Sequence, residues 1–147
     1  IGADAASGLV HTVVGTAANV SDISQTHLLL HGEEKTVHGD AGYTGVEKRE
    51  EIQARTEGCE EVDWQVAARR GQVKNMEEGW AKEITEAFET LKARVRARVE
   101  HPFHVVKNIF RHRKVKYRGL AKNTAELETR FALANLFLAR RALLGEG

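Results

Sequence analysis

The sequence contains few residues of the kinds that stabilise small domains through covalent or metal links. Its 147 residues include one Cys, one Pro and one Met, and aromatic residues make up only 6% of the chain. The single cysteine, Cys59, has no partner for a disulfide and belongs to no cysteine set for zinc. With 41% hydrophobic and 29% charged residues, the composition predicts one globular domain whose core forms without such links.

Long hydrophobic runs are also absent. The longest apolar stretches, residues 28–30 and 131–138, are too short or too interrupted by polar side chains to span a bilayer, and no charged-then-apolar leader opens the chain. We therefore expect a cytoplasmic protein with no membrane partner. Because the chain begins with Ile1 and not with Met, we interpret it as processed or as a piece of a longer protein.

The net charge of +1 conceals an uneven distribution. Residues 1–90 contain 8 Lys and Arg against 17 Asp and Glu, whereas residues 91–147 contain 14 against 4. The cations of this basic part include Lys92, Arg94, Arg96, Arg98, Lys107, Arg111, Arg113, Lys114, Lys116 and Arg118. Tyr117 lies between the last two of them. Such clustering is typical of a surface that neutralises nucleic-acid phosphates. The alternative is a solvated helix face followed by a charged loop.

Strand and helix signals alternate in the first half of the chain. Residues 8–17 are rich in β-branched side chains after the turn residues 4–8, which predicts a β-hairpin whose first strand has only residues 1–3. Helices are predicted over residues 21–32 and 46–57, and strands over residues 35–40 and 61–67. Together these elements predict an α/β fold with a mixed sheet flanked by helices.

Helical periodicity dominates the second half. The strongest pattern predicts one long amphipathic helix, with apolar residues every three or four positions at Trp80, Ile84, Phe88, Leu91, Val95 and Val99. Pro102 is predicted to bend or end this helix. A last helix is predicted to start at the capping-box sequence of residues 123–126, with an apolar stripe at Leu127, Phe131, Asn135 and Leu138.

Two carboxylates occupy positions suited to a metal. Asp40 ends a predicted strand before the glycine-rich loop 41–45, where open α/β sheets place their ligands; the alternative is a turn aspartate that caps the loop. On a continuous helix, Glu100 would share one face with Arg96, Phe103 and Lys107, and its carboxylate between two cations suits a site for a metal and a phosphate. The alternative there is an ordinary ion pair between Arg96 and Glu100. His38 and Asp40 also have the spacing of a metal-binding pair.

Three sequence blocks in this order carry a resemblance to a known family. They are HGDAGYTG at residues 38–45, RVRARVEHPF at residues 94–103 and YRGLAKN at residues 117–123. Over essentially its whole length the chain resembles the C-terminal part of a bacterial insertion-sequence DDE transposase. The resemblance implies a ribonuclease-H-like catalytic domain in which three acids hold two divalent ions, Mg²⁺ or Mn²⁺. It also implies cleavage and strand transfer of DNA at insertion-sequence ends.

The resemblance also assigns roles to particular residues. Asp40 resembles the second acid and Glu100 the third, and both would be metal ligands. Arg96, Glu100 and Lys107 match the Y-x2-R-x3-E-x6-K pattern of one group of these enzymes, whose Tyr position is Ala93 here. DNA contacts would come from Arg96, Lys107, Arg111, Arg113, Lys114, Lys116 and Arg118. The expected partners are DNA and further copies of the chain in an oligomer, and the expected location is the nucleoid.

No residue matches the first acid of the family, which lies on a strand upstream of the predicted hairpin. Asp4 belongs to a turn and is not expected to replace it. We therefore interpret residues 1–147 as a catalytic domain truncated at its N terminus, with a basic helical region over about residues 91–147, and expect this chain alone to be inactive. The alternatives are a catalytically inactive remnant that only binds DNA or self-associates, and a small metal-dependent nuclease.

Overall fold

The structure, a computed structural model, describes residues 1–56 and 62–145. Cys59, the end of the helix predicted over residues 46–57 and the start of the strand predicted over residues 61–67 lie outside the described residues. The chain forms two compact units. The terminal unit consists of Ile1–Gln25 and Arg98–Gly147, and the central unit consists of Thr26–Ala97.

Within residues 1–56 and 62–145, four short strands and four α-helices give an α/β fold with small sheets. The strands are β1 (Gly2–Ala3), β2 (Val10–Thr12), β3 (Thr36–Gly39) and β4 (Asp63–Val66). The α-helices are α1 (Glu50–Thr56), α2 (Arg70–Lys74), α3 (Trp80–His104) and α4 (Leu120–Leu143). Three 3-10 helices cover Asp22–Leu28, Ala41–Tyr43 and Val46–Lys48, and a π-helix covers Val105–Ile109. Within the described residues, no helix is both long and apolar enough to cross a membrane.

The predicted hairpin opens the terminal unit. Strands β1 and β2 pair antiparallel. In the turn between them, the Asp4 carboxylate accepts hydrogen bonds of 2.6 Å from both the backbone N–H and the hydroxyl of Ser7. Gly8 has φ +73°, a conformation that residues with a side chain rarely adopt, and a Cβ at this position would lie 3.5 Å from the carbonyl oxygen of Arg98. The guanidinium of Arg98 donates to the turn carbonyls of Ala5 and Ala6, which gives this residue of the basic set a structural role.

The core of the terminal unit lies between this hairpin and the last helix. Val10, Val105, Val106, Phe131 and Ala134 form its buried centre. Phe103 and Phe131 meet edge to face with ring centroids 5.4 Å apart, a favoured aromatic arrangement. Inside α4, Asn135 pairs with β2 in two directions: its Oδ1 accepts from the N–H of Val10 at 2.9 Å, and its Nδ2 donates to the Val10 carbonyl at 2.7 Å. This side chain satisfies both backbone groups of Val10.

The central unit is built on a parallel pair of strands. Strands β3 and β4 pair with His38 opposite Gln65 and Gly39 opposite Val66. Val46 and Ile52 are buried. The Arg55 guanidinium donates two hydrogen bonds, of 2.9 and 3.2 Å, to the carbonyl of Leu30. The C-terminal ends of the two strands lie side by side because the pair is parallel.

Several predictions of local structure need correction. The described strands form two separate two-stranded sheets and not one mixed sheet, because β1 and β2 pair within the terminal unit while β3 and β4 pair within the central unit. The helix predicted over residues 21–32 is a 3-10 helix that ends at Leu28. The helix predicted from residue 46 is divided, since Arg49 is extended between a 3-10 turn and α1.

Pro102 neither ends nor interrupts helix α3, which continues to His104 before the π-helix begins. The ring of Pro102 is fully buried, so packing offsets the loss of one backbone donor. Helix α4 starts at Leu120 after Gly119, which has φ 89°, and not at the predicted capping box. Asn123 lies inside the first turn of α4, where it bonds backward to the preceding loop.

The long helix α3 confirms the predicted periodicity, but its apolar stripe is largely exposed to solvent. Trp80 is 76% exposed and Phe88 is 59% exposed, and Ile84 and Leu91 are also exposed. Within the central unit, the polar side chains of Glu89 and Lys92 are the α3 groups that bond to the end of β4. The stripe therefore contributes little to the core of this unit.

We expect Asn135→Leu to destabilise the terminal unit by about 2–5 kcal/mol, because both backbone groups of Val10 lose their partner in a part-buried site. Urea unfolding followed by circular dichroism measures the change. Asn19→Ala, at an exposed loop position, is the control and leaves the midpoint unchanged. A loss below about 0.5 kcal/mol for Asn135→Leu would contradict the role given to this side chain.

Candidate functional site

Asp40 lies immediately after β3, as the sequence predicts. Its backbone is extended and its carboxylate caps the following 3-10 helix, with Oδ1 accepting from the Gly42 N–H at 2.8 Å. A Cβ on Gly42 would stand 2.9 Å from that oxygen, so only glycine allows the approach without displacement. Oδ2 has no hydrogen-bond partner among the described residues, and Asp40 is exposed. One carboxylate oxygen thus fixes the loop and the other faces solvent.

Gly39 explains another part of the same motif. A Cβ at Gly39 would come within 3.1 Å of the Tyr43 Cβ, so the absence of a side chain lets Tyr43 pack closely on the end of β3. The Tyr43 N–H also donates to the Asp40 carbonyl at 3.0 Å. The glycines of residues 38–45 therefore shape a tight loop that fixes the position of Asp40.

A buried polar cluster lies beside β3 in the central unit. The Nδ1 of His38 and the Nε of Arg96 are both buried without a hydrogen-bond partner among the described residues. Burial holds the pKa of His38 below its ordinary value of 6.5, and the charges of Arg96 and Lys92 act in the same direction against the raising effect of Asp63. His38 is therefore uncharged near neutral pH, as a histidine beside two cations should be.

The polar side of α3 reaches the end of β4. Lys92 donates from Nζ to the Val66 carbonyl at 3.1 Å and to Glu89 at 2.8 Å. Glu89 in turn accepts from the Ala68 N–H at 3.0 Å. These bonds attach α3 to the C-terminal end of the strand pair, and they give Lys92 of the basic set an internal role.

Glu100 is an exposed residue near the C-terminal end of α3. Its carboxylate has no hydrogen bond or ion pair among residues 1–56 and 62–145. Further along, the Lys107 ammonium lies 5.1 Å from the centre of the Phe103 ring, a cation–π contact that puts these two side chains on one face, as predicted. Lys107 belongs to the π-helix, which has a wider turn than an α-helix. The angle between Glu100 and Lys107 around the helix axis therefore differs from that of a straight α-helix.

The basic segment, residues 111–118, connects the π-helix to α4. Arg111, Arg113, Lys114, Lys116 and Arg118 are all exposed. Arg111 has φ 55°, which is uncommon for a residue other than glycine and is typical of a strained turn. Apart from Lys116, these cations form no ion pair with a described residue. The segment therefore presents unneutralised positive charge to solvent.

Two residues of α4 hold this segment in place. Asn123 accepts from the Tyr117 N–H at 3.2 Å and donates to the carbonyls of Tyr117 and Gly119 at 2.7 Å. The Oε1 of Glu126 accepts from Arg130 at 2.6 and 3.0 Å, and it lies 3.6 Å from the Nδ1 of the buried His112 and 4.0 Å from Lys116. One carboxylate thus faces three cationic or protonatable side chains.

Sequence reasoning missed these positioning residues. The spacing of Asn123 and Glu126 was interpreted as a capping box, whereas the same two side chains anchor the loop that precedes the helix. In the sequence His112 lies between two arginines, a position that does not indicate burial. A signal did exist, because Glu126 is one of only four acids among residues 91–147, which contain 14 Lys and Arg, and opposite charges attract.

Asp40 belongs to the central unit and Glu100 to the terminal unit, and each is described within its own unit. His38, Arg96 and Lys92 come together in the central unit, and Phe103 with Lys107 in the terminal unit. Within the described ranges, no group of three His, Cys, Asp or Glu side chains is arranged to hold a metal ion. Asp40 and Glu100 do carry oxygen donors of the type that Mg²⁺ and Mn²⁺ prefer, with oxygens that other described residues leave unpaired.

The chain matches a known protein family over most of its length. The model of the family described as the transposase DDE domain matches residues 1–136. The chain belongs to the transposase DDE domain family. No solved structure matches this chain.

Membership confirms the DDE transposase resemblance and establishes DNA transposition as the general function of this domain, with DNA as the molecule it acts on. DDE transposase domains generally use divalent metal ions. Assignment to the Y-x2-R-x3-E-x6-K group and the roles of single residues in the DDE domain remain predictions.

The Glu126 cluster predicts a pH dependence of stability. The hydrogen bond from Arg130 does most to hold the pKa of Glu126 below its ordinary value of 4.5, against the opposing effect of burial, and the charges of Arg130, His112 and Lys116 add to it. Because the folded pKa is lowered, the stabilisation is complete above about 4.5 and is lost as the pH falls through the folded pKa.

We therefore expect the free energy of unfolding to fall less steeply between about pH 6 and about pH 3 in Glu126→Gln than in the unmodified chain. Urea titrations at several pH values measure this slope. Glu128→Gln, an exposed glutamate of the same helix, is the matched control and keeps the original slope. Parallel curves for Glu126→Gln and the unmodified chain would contradict the cluster's contribution.

Proposed function

We propose that this domain is the ribonuclease-H-like catalytic core of an insertion-sequence transposase of the Y-x2-R-x3-E-x6-K group. Its reaction is metal-dependent cleavage of DNA at the ends of the element, followed by strand transfer when the domain is complete. The observation that carries the proposal is Asp40, whose unpaired carboxylate oxygen follows a parallel strand in a chain of the DDE family. Ligands bind at such strand ends in open α/β sheets.

Asp40 and Glu100 are the proposed metal ligands, as the second and third acids of the site. Two Mg²⁺ or Mn²⁺ ions, when bound, would polarise the scissile phosphate and activate a water or a 3′ hydroxyl. The role of the chain's own residues is to hold carboxylate oxygens at fixed positions. For Asp40, the bond from the Gly42 N–H provides that fixation and leaves Oδ2 available.

Arg96 and Lys107 are proposed to position phosphates of the transposon end. Support comes from the unpaired, buried Nε of Arg96 and from the exposed ammonium of Lys107 beside Phe103. The basic segment, with Arg111, Arg113, Lys114, Lys116 and Arg118, is proposed to add affinity that does not depend on sequence, since phosphate contacts carry no base information. The active complex is proposed to be an oligomer of this chain on DNA in the nucleoid.

A second candidate is a DNA-binding or self-associating protein without catalytic activity. A specific observation favours it: Arg111, Arg113, Lys114 and Arg118 are exposed and form no ion pair with a described residue, which suits phosphate binding without catalysis. In this case Asp40 and Glu100 are retained without function, and the basic segment accounts for the remaining activity.

Plasmid nicking separates the two candidates. In a full-length version that includes the first acid, the catalytic proposal predicts cleavage of supercoiled DNA in Mg²⁺ or Mn²⁺ that disappears in Asp40→Asn and in Glu100→Gln, because each variant loses a metal ligand. DNA affinity remains, since neither carboxylate contacts phosphate. Glu128→Gln, which neutralises an exposed helix carboxylate elsewhere, cleaves at the original rate.

Other outcomes have clear meanings. DNA binding by the full-length version without any nicking, equal in metal and in EDTA, favours the second candidate. Nicking that persists in both Asp40→Asn and Glu100→Gln would remove these residues from the catalytic site.

The basic segment makes its own prediction about salt. In a plot of log affinity for duplex DNA against log salt concentration, we expect Arg113→Ala to reduce the slope by about 1, and Arg113→Ala with Lys114→Ala by about 2, because each phosphate contact releases counterions. Fluorescence anisotropy at four salt concentrations measures the slope. Lys48→Ala, an exposed cation of the central unit, leaves it unchanged. An unchanged slope in the double variant would show that the segment does not contact DNA.

A further inference from the structure

Two buried polar atoms beside β3 lack hydrogen-bond partners. They are the Nδ1 of His38 and the Nε of Arg96, and no described residue bonds to either of them. Buried polar groups without a partner are rare in folded proteins, because their desolvation is costly. A phosphate that reaches Arg96 from solvent contacts the end of its guanidinium and leaves the buried Nε unexplained. The ring of His38 has no role in the proposed reaction.

The backbone brings these two side chains to the same place in the central unit. Lys92 of α3 donates to the Val66 carbonyl at 3.1 Å. Val66 pairs with Gly39, the residue that follows His38. Arg96 follows Lys92 by four residues, so it lies on the same face of α3, one turn further along. The charges of both cations act on the His38 ring. Helix α3 thus places Arg96 near the end of β3, beside His38.

This placement also relates Arg96 to the proposed metal ligand Asp40. Side chains alternate along a strand, so His38 and Asp40 lie on one side of β3, with the side-chain-free Gly39 between them. The backbone of Asp40 is extended, which continues the alternation of β3 to this residue. A guanidinium next to His38 therefore lies on the side of β3 that carries the Asp40 carboxylate.

The two unpartnered atoms are chemically complementary. The Nε of Arg96 always carries a proton, and a guanidinium can only donate. An uncharged imidazole accepts through its nitrogen without a proton, which is Nδ1 when the proton is on Nε2. A guanidinium that is bound through Nε keeps both terminal nitrogens for two oxygens of a phosphate. Within the described part of the chain, no hydrogen bond or ion pair uses those two nitrogens.

We propose that His38 is a positioning residue, whose Nδ1 accepts a hydrogen bond from the Nε of Arg96 and orients the two terminal nitrogens toward a phosphate of DNA bound beside Asp40. The inference rests on the proposed function in taking a DNA phosphate as the ligand of Arg96. The bond forms as the guanidinium turns toward the phosphate, and it satisfies both buried atoms at once. His38 itself contacts neither DNA nor metal.

Anisotropy measurements with a fluorescent DNA duplex test the coupling of the two residues in the full chain. We expect His38→Leu to weaken binding about 10-fold at about 0.1 M salt, and to reduce the slope of log affinity against log salt by about 1, because one phosphate contact is lost. Arg96→Ala has the same two effects. In the Arg96→Ala background, His38→Leu has no further effect, because the two residues act as one unit. His38→Asn binds like the unmodified chain, since its amide oxygen replaces Nδ1 as the acceptor.

Controls separate positioning from a structural role. His27→Leu, which removes another half-buried histidine of the central unit, leaves the affinity and the slope unchanged. Circular dichroism melts show whether each variant folds. A folded His38→Leu with full affinity would overturn the proposal. An equal loss from His38→Leu in the presence and absence of Arg96 would also contradict it, because a general structural effect does not depend on the guanidinium.

The position of the proton on His38 gives a test that needs no substitution. In long-range ¹H–¹⁵N spectra of the DNA complex, we expect the proton of the His38 ring on Nε2 and a slowly exchanging Nε proton on Arg96. A proton on Nδ1 rules out the bond. If the unmodified chain does not bind the duplex, the proposed DNA-binding function fails together with this inference. If DNA binds and Arg96→Ala keeps full affinity, this inference alone fails and the contact with the basic segment stands.

Discussion

The terminal unit depends on one side chain that serves two backbone groups. Asn135 accepts from the N–H of Val10 and donates to its carbonyl, so it completes the hydrogen bonding of a strand only three residues long. A strand this short has few ladder bonds of its own, and an amide is the side chain that offers a donor and an acceptor together. The buried valines and phenylalanines of the unit pack around this junction.

A small number of side chains also fixes the basic segment, which is proposed to contact DNA. A segment rich in like charges repels itself and is expected to be disordered unless other groups hold it. Here Asn123 fixes its backbone and Glu126 gathers Arg130, His112 and Lys116 around one carboxylate. The cations that remain unpaired are then presented from a fixed support, which lowers the entropy lost when they contact phosphate.

The sequence predicted what depends on local patterns. Asp40 at the end of β3, the long helix α3 and the face shared by Phe103 and Lys107 follow from strand alternation, helical periodicity and spacing. The family was also predictable, because its motifs are contiguous blocks, and the match to residues 1–136 confirms it.

Features that depend on distant contacts were not predictable. The sequence places Asn135 in an apolar stripe but does not indicate its hydrogen bonds, because its partner Val10 lies 125 residues earlier. Pro102 continues a helix because its ring is buried by packing that local rules do not include. The stripe of α3 has ideal helical spacing, yet Trp80 and Phe88 are exposed, since periodicity identifies a face without identifying what covers it.

The division of the terminal unit between both ends of the chain has a consequence for its synthesis. Val10 leaves the ribosome about 6–25 s before Asn135 at translation rates of about 5–20 residues per second. During that interval the hairpin has open strand edges and an uncovered apolar side, which favours contact with chaperones or with other nascent chains. The central unit, whose residues are contiguous, has no such delay. Cells that translate this protein slowly should therefore lose more of it to aggregation than cells that translate it rapidly.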